Sequence, residues 1–309
     1  MSILLICNNK DPKPWAQAIA NALPEETVEV FPHVTDANAV EMIVCWKPER
    51  GVLELFPNTK VIQSLGASVY HIFSKNEVSD TVKVTRIVDP QLANDLWEFV
   101  LALTMGYMKQ IPRYVHQQKQ KHWQQRSYKT MANTCVGILG LGQIGQLVAD
   151  RFANLGFRVN GWSRSEKSIE KINCFHGKEG LNEMLPLTDV LVSILPLTMD
   201  TTGLLNRAVL RQLPQGAYFI NVGRGPQVID EDLIDLLDKN HLSGAALDVF
   251  HQEPLSDKHP FWTHPKVLIT PHVAALTNVN TALEQIIGNY KAMRAGEQLL
   301  HVVSHTQGY

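Results

Sequence analysis

Three stretches in the last third of the chain place polar side chains where the reduction of a carbonyl could use them. In Asn221-Val222-Gly223-Arg224-Gly225 an arginine flanked by glycines follows the apolar run Ala217 to Ile220. A guanidinium in that setting can grip a carboxylate through parallel hydrogen bonds and polarise the neighbouring carbonyl oxygen. Leu247-Asp248-Val249-Phe250-His251-Gln252-Glu253-Pro254 and Thr270-Pro271-His272-Val273-Ala274 close two further apolar runs. Histidine is the natural proton donor when hydride reaches a ketone, because its ordinary pKa lies near working pH. A neighbouring carboxylate stabilises imidazolium and fixes the tautomer. His272 is therefore the candidate acid, Glu253 its partner and Arg224 the candidate substrate clamp. Taken singly they read as a core histidine, a loop carboxylate and a surface ion pair. Their shared position at strand ends, which converge on the ligand crevice of a doubly wound sheet, joins them into one signal.

The hydride would come from a dinucleotide. The run Cys135 to Leu139 leads into Gly140-Leu141-Gly142-Gln143-Ile144-Gly145 and then into an amphipathic stretch. A Gly-x-Gly-x-x-Gly motif between a strand and a helix is the pyrophosphate-binding pattern. Gly140 permits the tight turn, Gly142 the approach of backbone to phosphate, and Gly145 the close packing of helix on strand. Gln143 and Ile144 complete the turn, and the helix N-terminus presents free N-H groups and positive dipole. The next strand ends at Trp162-Ser163-Arg164-Ser165, with Lys167 beyond, where the pattern normally has a carboxylate for the ribose hydroxyls. A carboxylate repels a 2′-phosphate, whereas Ser163 and Arg164 can hydrogen-bond it. The expected cofactor is NADPH in preference to NADH.

Two features in the first third suit a small anionic substrate. Ser64-Leu65-Gly66-Ala67-Ser68 follows a strand, and a glycine turn there can offer backbone N-H groups to a carboxylate. Trp46 and Lys47 end another strand, where the indole would restrict volume and the ammonium attract an anion. A packed tryptophan beside an exposed lysine is the equally weighted alternative. A pocket narrowed by tryptophan favours a small substrate over a branched one.

The elements that must position these groups alternate along the chain. Ile3 to Cys7, Val28 to Phe31, Met42 to Trp46, Val61 to Leu65 and Val82 to Thr85 read as strands with helical stretches between. Gln91 to about Gln120 reads as a long helix, kinked or restarted at Pro112. A second series follows: Cys135 to Leu139, Phe157 to Trp162, Val190 to Leu195, Ala217 to Val222, Ala245 to Phe250 and Val267 to Thr270, each apolar enough to be buried on both faces. Asn278 to about Ala295 reads as a terminal helix that packs back on the first domain. The fold class is α/β, with two doubly wound parallel-sheet domains. With a net charge of -2 there is no basic field for nucleic acid or anionic lipid, so neither is expected as a partner. The apolar start is too short for a signal peptide or a span, so a cytoplasmic protein is expected. Cys7, Cys45, Cys135 and Cys174 lie far apart, without metal-ligand spacing, so no metal is expected and the thiols read as small buried hydrophobes.

Gly140 to Gly145, Asn221 to Gly225, Leu247 to Pro254 and Thr270 to Ala274 together resemble the D-isomer-specific 2-hydroxyacid dehydrogenases, and the resemblance spans essentially the whole chain. Within that family, Val44-Cys45-Trp46, Leu65-Gly66-Ala67, Trp162-Ser163-Arg164 and Cys174-Phe175-His176-Gly177 are similar to members acting on glyoxylate and hydroxypyruvate. The resemblance implies a Rossmann-like coenzyme domain over 100–282 and a flavodoxin-like substrate domain over 1–99 and 283–309. It implies that Arg224 binds substrate, Glu253 orients, and His272 is the acid-base group. It also implies that Asp248 holds the nicotinamide carboxamide, that Pro196 and Val222 line the cofactor groove, and that the substrate carboxylate meets the Leu65-Gly66-Ala67 turn. A homodimer and domain closure over the 2-oxo acid are further implications. Ser68 stands where the family commonly has a second glycine and Tyr70 where it has aspartate, which alters the loop around the substrate. Another 2-hydroxy acid as substrate is the alternative within the family, and a nucleotide-sensing binding protein the alternative outside enzymes.

Overall fold

The computed structural model describes residues 2–8, 10–74 and 76–304. Met1 and residues 305–309, which the expected substrate domain includes, lie outside the described residues. The chain forms two compact units, Met1–Leu92 with Thr277–Tyr309, and Ala93–Leu276. The crossings fall several residues ahead of positions 100 and 283. One lies inside a helix.

In the first unit the elements are β1 (Ser2–Cys7), α1 (Lys13–Ala22), β2 (Thr27–Val30), β3 (Val40–Trp46), β4 (Val61–Ser64), α2 (Tyr70–Phe73) and β5 (Lys83–Thr85). Among the described residues the sheet runs β2-β1-β3-β4-β5 with every neighbouring pair parallel, the flavodoxin-like order. Successive residues of β1 serve opposite faces. Ile3 and Leu5 pack with Trp15 and Ile19 of α1, while Leu4 and Ile6 pack with Leu53, Phe56 and Ile72. Burial on both faces is why these strands read as unbroken apolar runs rather than alternating ones.

The second unit takes in most of α3 (Pro90–Met108), then α4 (Ile111–Lys119), β6 (Cys135–Leu139), α5 (Gln143–Asn154), β7 (Arg158–Ser163), β8 (Asn173–His176), α6 (Gly177–Met184), β9 (Val190–Ser193), α7 (Arg207–Leu210), β10 (Ala217–Asn221), α8 (Asp230–Asp238), β11 (Leu242–Leu247) and β12 (Val267–Ile269). The expected long helix is two helices: Gln110 adopts a left-handed φ of 60°, and Pro112 falls in the first turn of α4, where its missing N-H costs nothing. Among the described residues the sheet order is β12-β11-β10-β9-β6-β7-β8, parallel throughout. The chain enters at β6, winds outward to β8, then returns to β9 beside β6. That reversal creates the switch point where such sheets bind ligands. Leu139 and Phe219 pack under α6 and α8, whereas Ile138 and Ile220 pack under α3 and α5, so helices cover both faces.

Three expectations need correcting. β11 ends at Leu247, so Asp248 to Phe250 belong to the following loop. β8 was not foreseen, because an edge strand with exposed Asn173 and His176 lacks the apolar run of a central one. β12, at the opposite edge, is half-exposed rather than buried on both faces.

Helix α9 (Val279–Ala295) completes the first unit. Its N-cap Asn278 accepts the Asn280 N-H at 2.9 Å, and Gly296 ends it with a φ of 70°. Ala282, Ile286 and Tyr290 are buried in the same core as Ile3, Met42 and Val44. Replacing Ile286 by alanine leaves a cavity there and is expected to destabilise the protein by about 2–5 kcal/mol. Urea unfolding checks this; an unshifted midpoint would mean that α9 is dispensable to that core.

Candidate active site

The glycine loop after β6 has a separate reason for each glycine. Gly140 sits at a φ of 105°, and a Cβ on Gly145 would lie 1.7 Å from the Gly140 carbonyl oxygen, so α5 can leave the strand this closely only with glycine there. A Cβ on Gly142 would meet nothing within 4 Å, which leaves the loop's outer side open to a ligand. Gly142 is also the N-cap of α5 and supplies no side-chain acceptor to its first turn. Gln143, Ile144 and Gly145 begin that turn, so their N-H groups have no intrahelical acceptor. The arrangement fits a dinucleotide pyrophosphate: an open cradle with orphan donors and the positive end of a helix dipole. Pro196, exposed after β9, and Val222, buried after β10 with its N-H on the Ser193 carbonyl at 3.1 Å, lie at ends of the strands that follow the switch point.

At the end of β7, Ser163 is buried and its hydroxyl donates to the Ser165 carbonyl at 2.7 Å. The serine therefore shapes the turn, and the exposed Arg164 is the member of the pair that faces outward.

The three candidates for the chemistry come from loops after adjacent strands β10, β11 and β12. Arg224 follows β10. Its Nη1 donates to the Gly223 carbonyl, and its N-H donates to Gln227 Oε1 at 3.2 Å. Burial lowers the guanidinium from its usual range, and the negative charge of Glu253 opposes that shift. A Cβ on Gly225 would lie 1.9 Å from the carbonyl carbon of Phe250, so the arginine loop and the glutamate loop touch backbone to backbone. Glu253 closes its own loop by accepting the Phe250 N-H at 3.2 Å on Oε1, while Oε2 lies 2.8 Å from His272 Nδ1. A carboxylate only accepts, so Nδ1 carries the hydrogen.

His272 adopts a left-handed φ of 56°, which a residue with a Cβ seldom takes without support. The support is Asp248. Its carbonyl accepts the His272 N-H at 2.9 Å; its carboxylate accepts Val273 N-H at 2.9 Å, Ala274 N-H at 2.9 Å and the Thr270 hydroxyl at 2.6 Å. Asp248 is only 2% exposed, so the residue to which the resemblance gives the nicotinamide carboxamide is bound into the histidine loop.

Two further groups escaped the sequence reading. Gln227, fully buried, donates to the Leu195 and Pro196 carbonyls at 2.9 and 3.0 Å and so joins the arginine loop to the turn after β9. Its only signal was a polar residue in an otherwise apolar Pro-x-Val-Ile stretch. His251 Nε2 lies 2.8 Å from the Val228 carbonyl and 3.6 Å from Asp230, and His259 lies 3.3 Å from the same carboxylate. They pin the Glu253 loop to the start of α8. Burial pushes the Asp230 carboxyl up, and the two histidines oppose that.

On the first unit, Trp46 ends β3 and the turn Leu65-Gly66-Ala67 follows β4. Trp46 Cζ3 lies 2.6 Å from where a Cβ of Gly66 would be. The glycine is thus required by the indole lying on it. Leu65 N-H is bound to the Cys45 carbonyl at 2.9 Å and Gly66 N-H to Ser64 Oγ at 3.2 Å, so Ala67 and Ser68 are left as the donors this turn can offer an anion.

Among the described residues no group of His, Cys, Asp or Glu is placed to hold a metal ion, and no helix is long and apolar enough to cross a membrane. Residues 101–274 match the family model for the D-isomer specific 2-hydroxyacid dehydrogenase, NAD binding domain. The chain is 33% identical, over 96% of each chain, to glyoxylate/hydroxypyruvate reductase A of Yersinia enterocolitica. Among solved structures it is similar to a D-isomer specific 2-hydroxyacid dehydrogenase from Xanthobacter autotrophicus in complex with NADPH and MES, at 37% identity and a TM-score of 0.92, covering 100% of this chain and 99% of that one. It is equally similar in fold to the NADPH-dependent glyoxylate/hydroxypyruvate reductase from Sinorhizobium meliloti in complex with NADP and sulfate, at 34% identity, a TM-score of 0.92 and 100% coverage of both chains. This chain belongs to the D-isomer specific 2-hydroxyacid dehydrogenase family.

Proposed function

We propose that the chain reduces a small 2-oxo acid of the glyoxylate and hydroxypyruvate type to the 2-hydroxy acid, with NADPH as reductant. The observation that carries this reading is the 2.8 Å pair of His272 and Glu253, with the Glu253 loop touching the Arg224 loop, at the strand ends of a doubly wound sheet. The names of the relatives and the NADPH and NADP bound in the similar structures support it.

In this reading Gly140, Gly142 and Gly145 with the first turn of α5 hold the pyrophosphate, Arg164 faces the 2′-phosphate, and Pro196 and Val222 border the nicotinamide. When bound, the cofactor supplies hydride to the carbonyl carbon. Arg224 holds the substrate carboxylate and stabilises charge developing on the carbonyl oxygen, the largest kind of contribution a fixed donor makes. His272 delivers the Nε2 proton to that oxygen. Glu253 keeps Nδ1 protonated and compensates the imidazolium. Trp46 and the Leu65-Gly66-Ala67 turn disfavour a branched side chain, with the Ala67 N-H as a carboxylate donor. We further propose a cytoplasmic homodimer. Exposed Ile111, Val115, Trp123, Tyr128 and Met131 support a covered face along the coenzyme unit, and the unpaired cysteines accord with a reducing compartment.

Substituting His272 by glutamine is expected to lower turnover of glyoxylate by about two to four decades while the KM for NADPH stays within about threefold. Steady-state rates followed by NADPH absorbance check this, and near-normal turnover would remove His272 from its role. Arg164→Ala is expected to raise the KM for NADPH by about tenfold and leave that for NADH unchanged, as loss of one charge-assisted hydrogen bond would. Asp248→Asn removes an acceptor from the Ala274 N-H. Amide hydrogen exchange at Val273 and Ala274 is expected to accelerate by about tenfold or more, and unaltered protection would refute the clamp.

A further inference from the structure

Near the Gly66 turn, the first unit carries two cations that the reaction as proposed does not use. Lys10 Nζ lies 4.1 Å from the centroid of the Trp46 ring and Lys47 Nζ 5.9 Å from it. An indole attracts cations through its quadrupole, but two ammonium groups against one ring repel each other. Lys10 is half-buried, and its pKa is lowered first by burial, with Cys7 opposing that shift and the charge of Lys47 adding to it. Among the described residues no carboxylate pairs with Lys10. A buried cation in such surroundings is stabilised by an anion from outside.

The backbone holds Lys47 there. Its φ is 50°, in the left-handed region, directly before Pro48. Strain of this kind persists only where neighbours impose it. Asn8 Nδ2 donates to the Lys47 carbonyl at 2.9 Å, and the Lys47 N-H donates to His71 Nδ1 at 3.2 Å. A backbone N-H only donates, so His71 Nδ1 is the lone-pair nitrogen and Nε2-H faces Ser64 Oγ at 3.1 Å. Ser64 in turn donates to the Ser68 carbonyl at 2.8 Å and accepts the Gly66 N-H at 3.2 Å. The residue carrying one ammonium is therefore wired by hydrogen bonds to the turn assigned to the substrate carboxylate, and the ring beneath both ammonium groups lies on Gly66.

We propose that Lys10 and Lys47, against Trp46, form a site for a second anionic group on the substrate, so that the chain also takes small 2-oxo acids with a carboxylate or phosphate at the far end. The inference rests on the reductase reading above and extends its substrate class. One end of such an acid would meet the Ala67 turn and the other the ammonium pair, which supplies charge without fixing a bidentate geometry.

The test is steady-state reduction by NADPH of glyoxylate, 2-oxobutyrate, oxaloacetate and 3-phosphohydroxypyruvate by the full chain. The expected result is a KM for at least one of the two dianions about tenfold or more below that for 2-oxobutyrate, rising steeply with salt. The dianion preferred identifies the terminal group as carboxylate or phosphate. Lys10→Met is expected to raise that KM about tenfold with glyoxylate kinetics within about twofold, and Lys10→Arg to restore most of the loss. Equal KM values for acids with one anionic group and with two, or a Lys10→Met effect as large on glyoxylate as on the preferred doubly anionic acid, would overturn the inference while leaving the reductase reading intact. Failure to reduce any of the four acids would instead overturn the reductase reading. Should Lys10→Met not fold, the wild-type comparison and its salt dependence still decide.

Discussion

A histidine in left-handed backbone returns to a commoner conformation unless something holds it, and in this protein the holder is one buried carboxylate. Asp248 accepts N-H groups from both residues after His272 and the hydroxyl two residues before it, and its own carbonyl takes the His272 N-H. A carboxylate with three short donors is among the stronger hydrogen-bonding arrangements a protein can make, and its burial raises the penalty for breaking any one of them. The direction of the imidazole, and hence its 2.8 Å contact with Glu253, follows from this constraint. The rest of the site builds outward from it.

Close approach between loops is the second requirement. Gly225 lets the backbone of the arginine loop rest on Phe250 and His251, and Gly145 lets α5 rest on the turn at Gly140. Either contact is closed to a residue with a Cβ. Gln227 then fills the space behind Arg224 and ties it to Leu195 and Pro196, so that the ends of β9, β10, β11 and β12 are joined by hydrogen bonds or backbone contact. The geometry is preorganised by backbone, with few long side chains spanning gaps, which is the arrangement that loses least entropy at the moment of reaction.

Much of this was legible in the residues. Strands buried on both faces announce themselves as apolar runs, and β6, β9 and β10 fall where Cys135, Val190 and Ala217 begin such runs. The glycine loop was legible because Gly140 and Gly145 answer steric demands that can be stated in advance, while Gly142 leaves the loop's outer side open. What could not be read was whatever depends on partners distant in sequence. β8 is too polar to stand out, since its half-exposed side chains report an edge that only the assembled sheet defines. Asp248 had a ligand role only through the family resemblance; its commitment to Val273 and Ala274, some 25 positions away, appears only once β11 and β12 are side by side. Ser163 likewise had its hydroxyl directed to a ligand, and the fold directs it to Ser165.

The path of the chain through its two units bears on how it becomes folded. Strands β1 to β5 emerge from the ribosome first, yet the core beneath one face of their sheet also requires Ala282, Ile286 and Tyr290 of α9, and Gln285 of α9 brackets Val88 with hydrogen bonds of 2.9 and 3.0 Å. Buried Asn289 also reaches Gln63 of β4 at 2.9 Å. Until α9 is synthesised, the nascent first unit displays an apolar surface, while the continuous span Ala93–Leu276 holds all the strands of its own sheet. Translation order thus leaves the first unit waiting on its own last helix until the second has been made, and during that interval its early strands are the segment most exposed to aggregation and most dependent on chaperones.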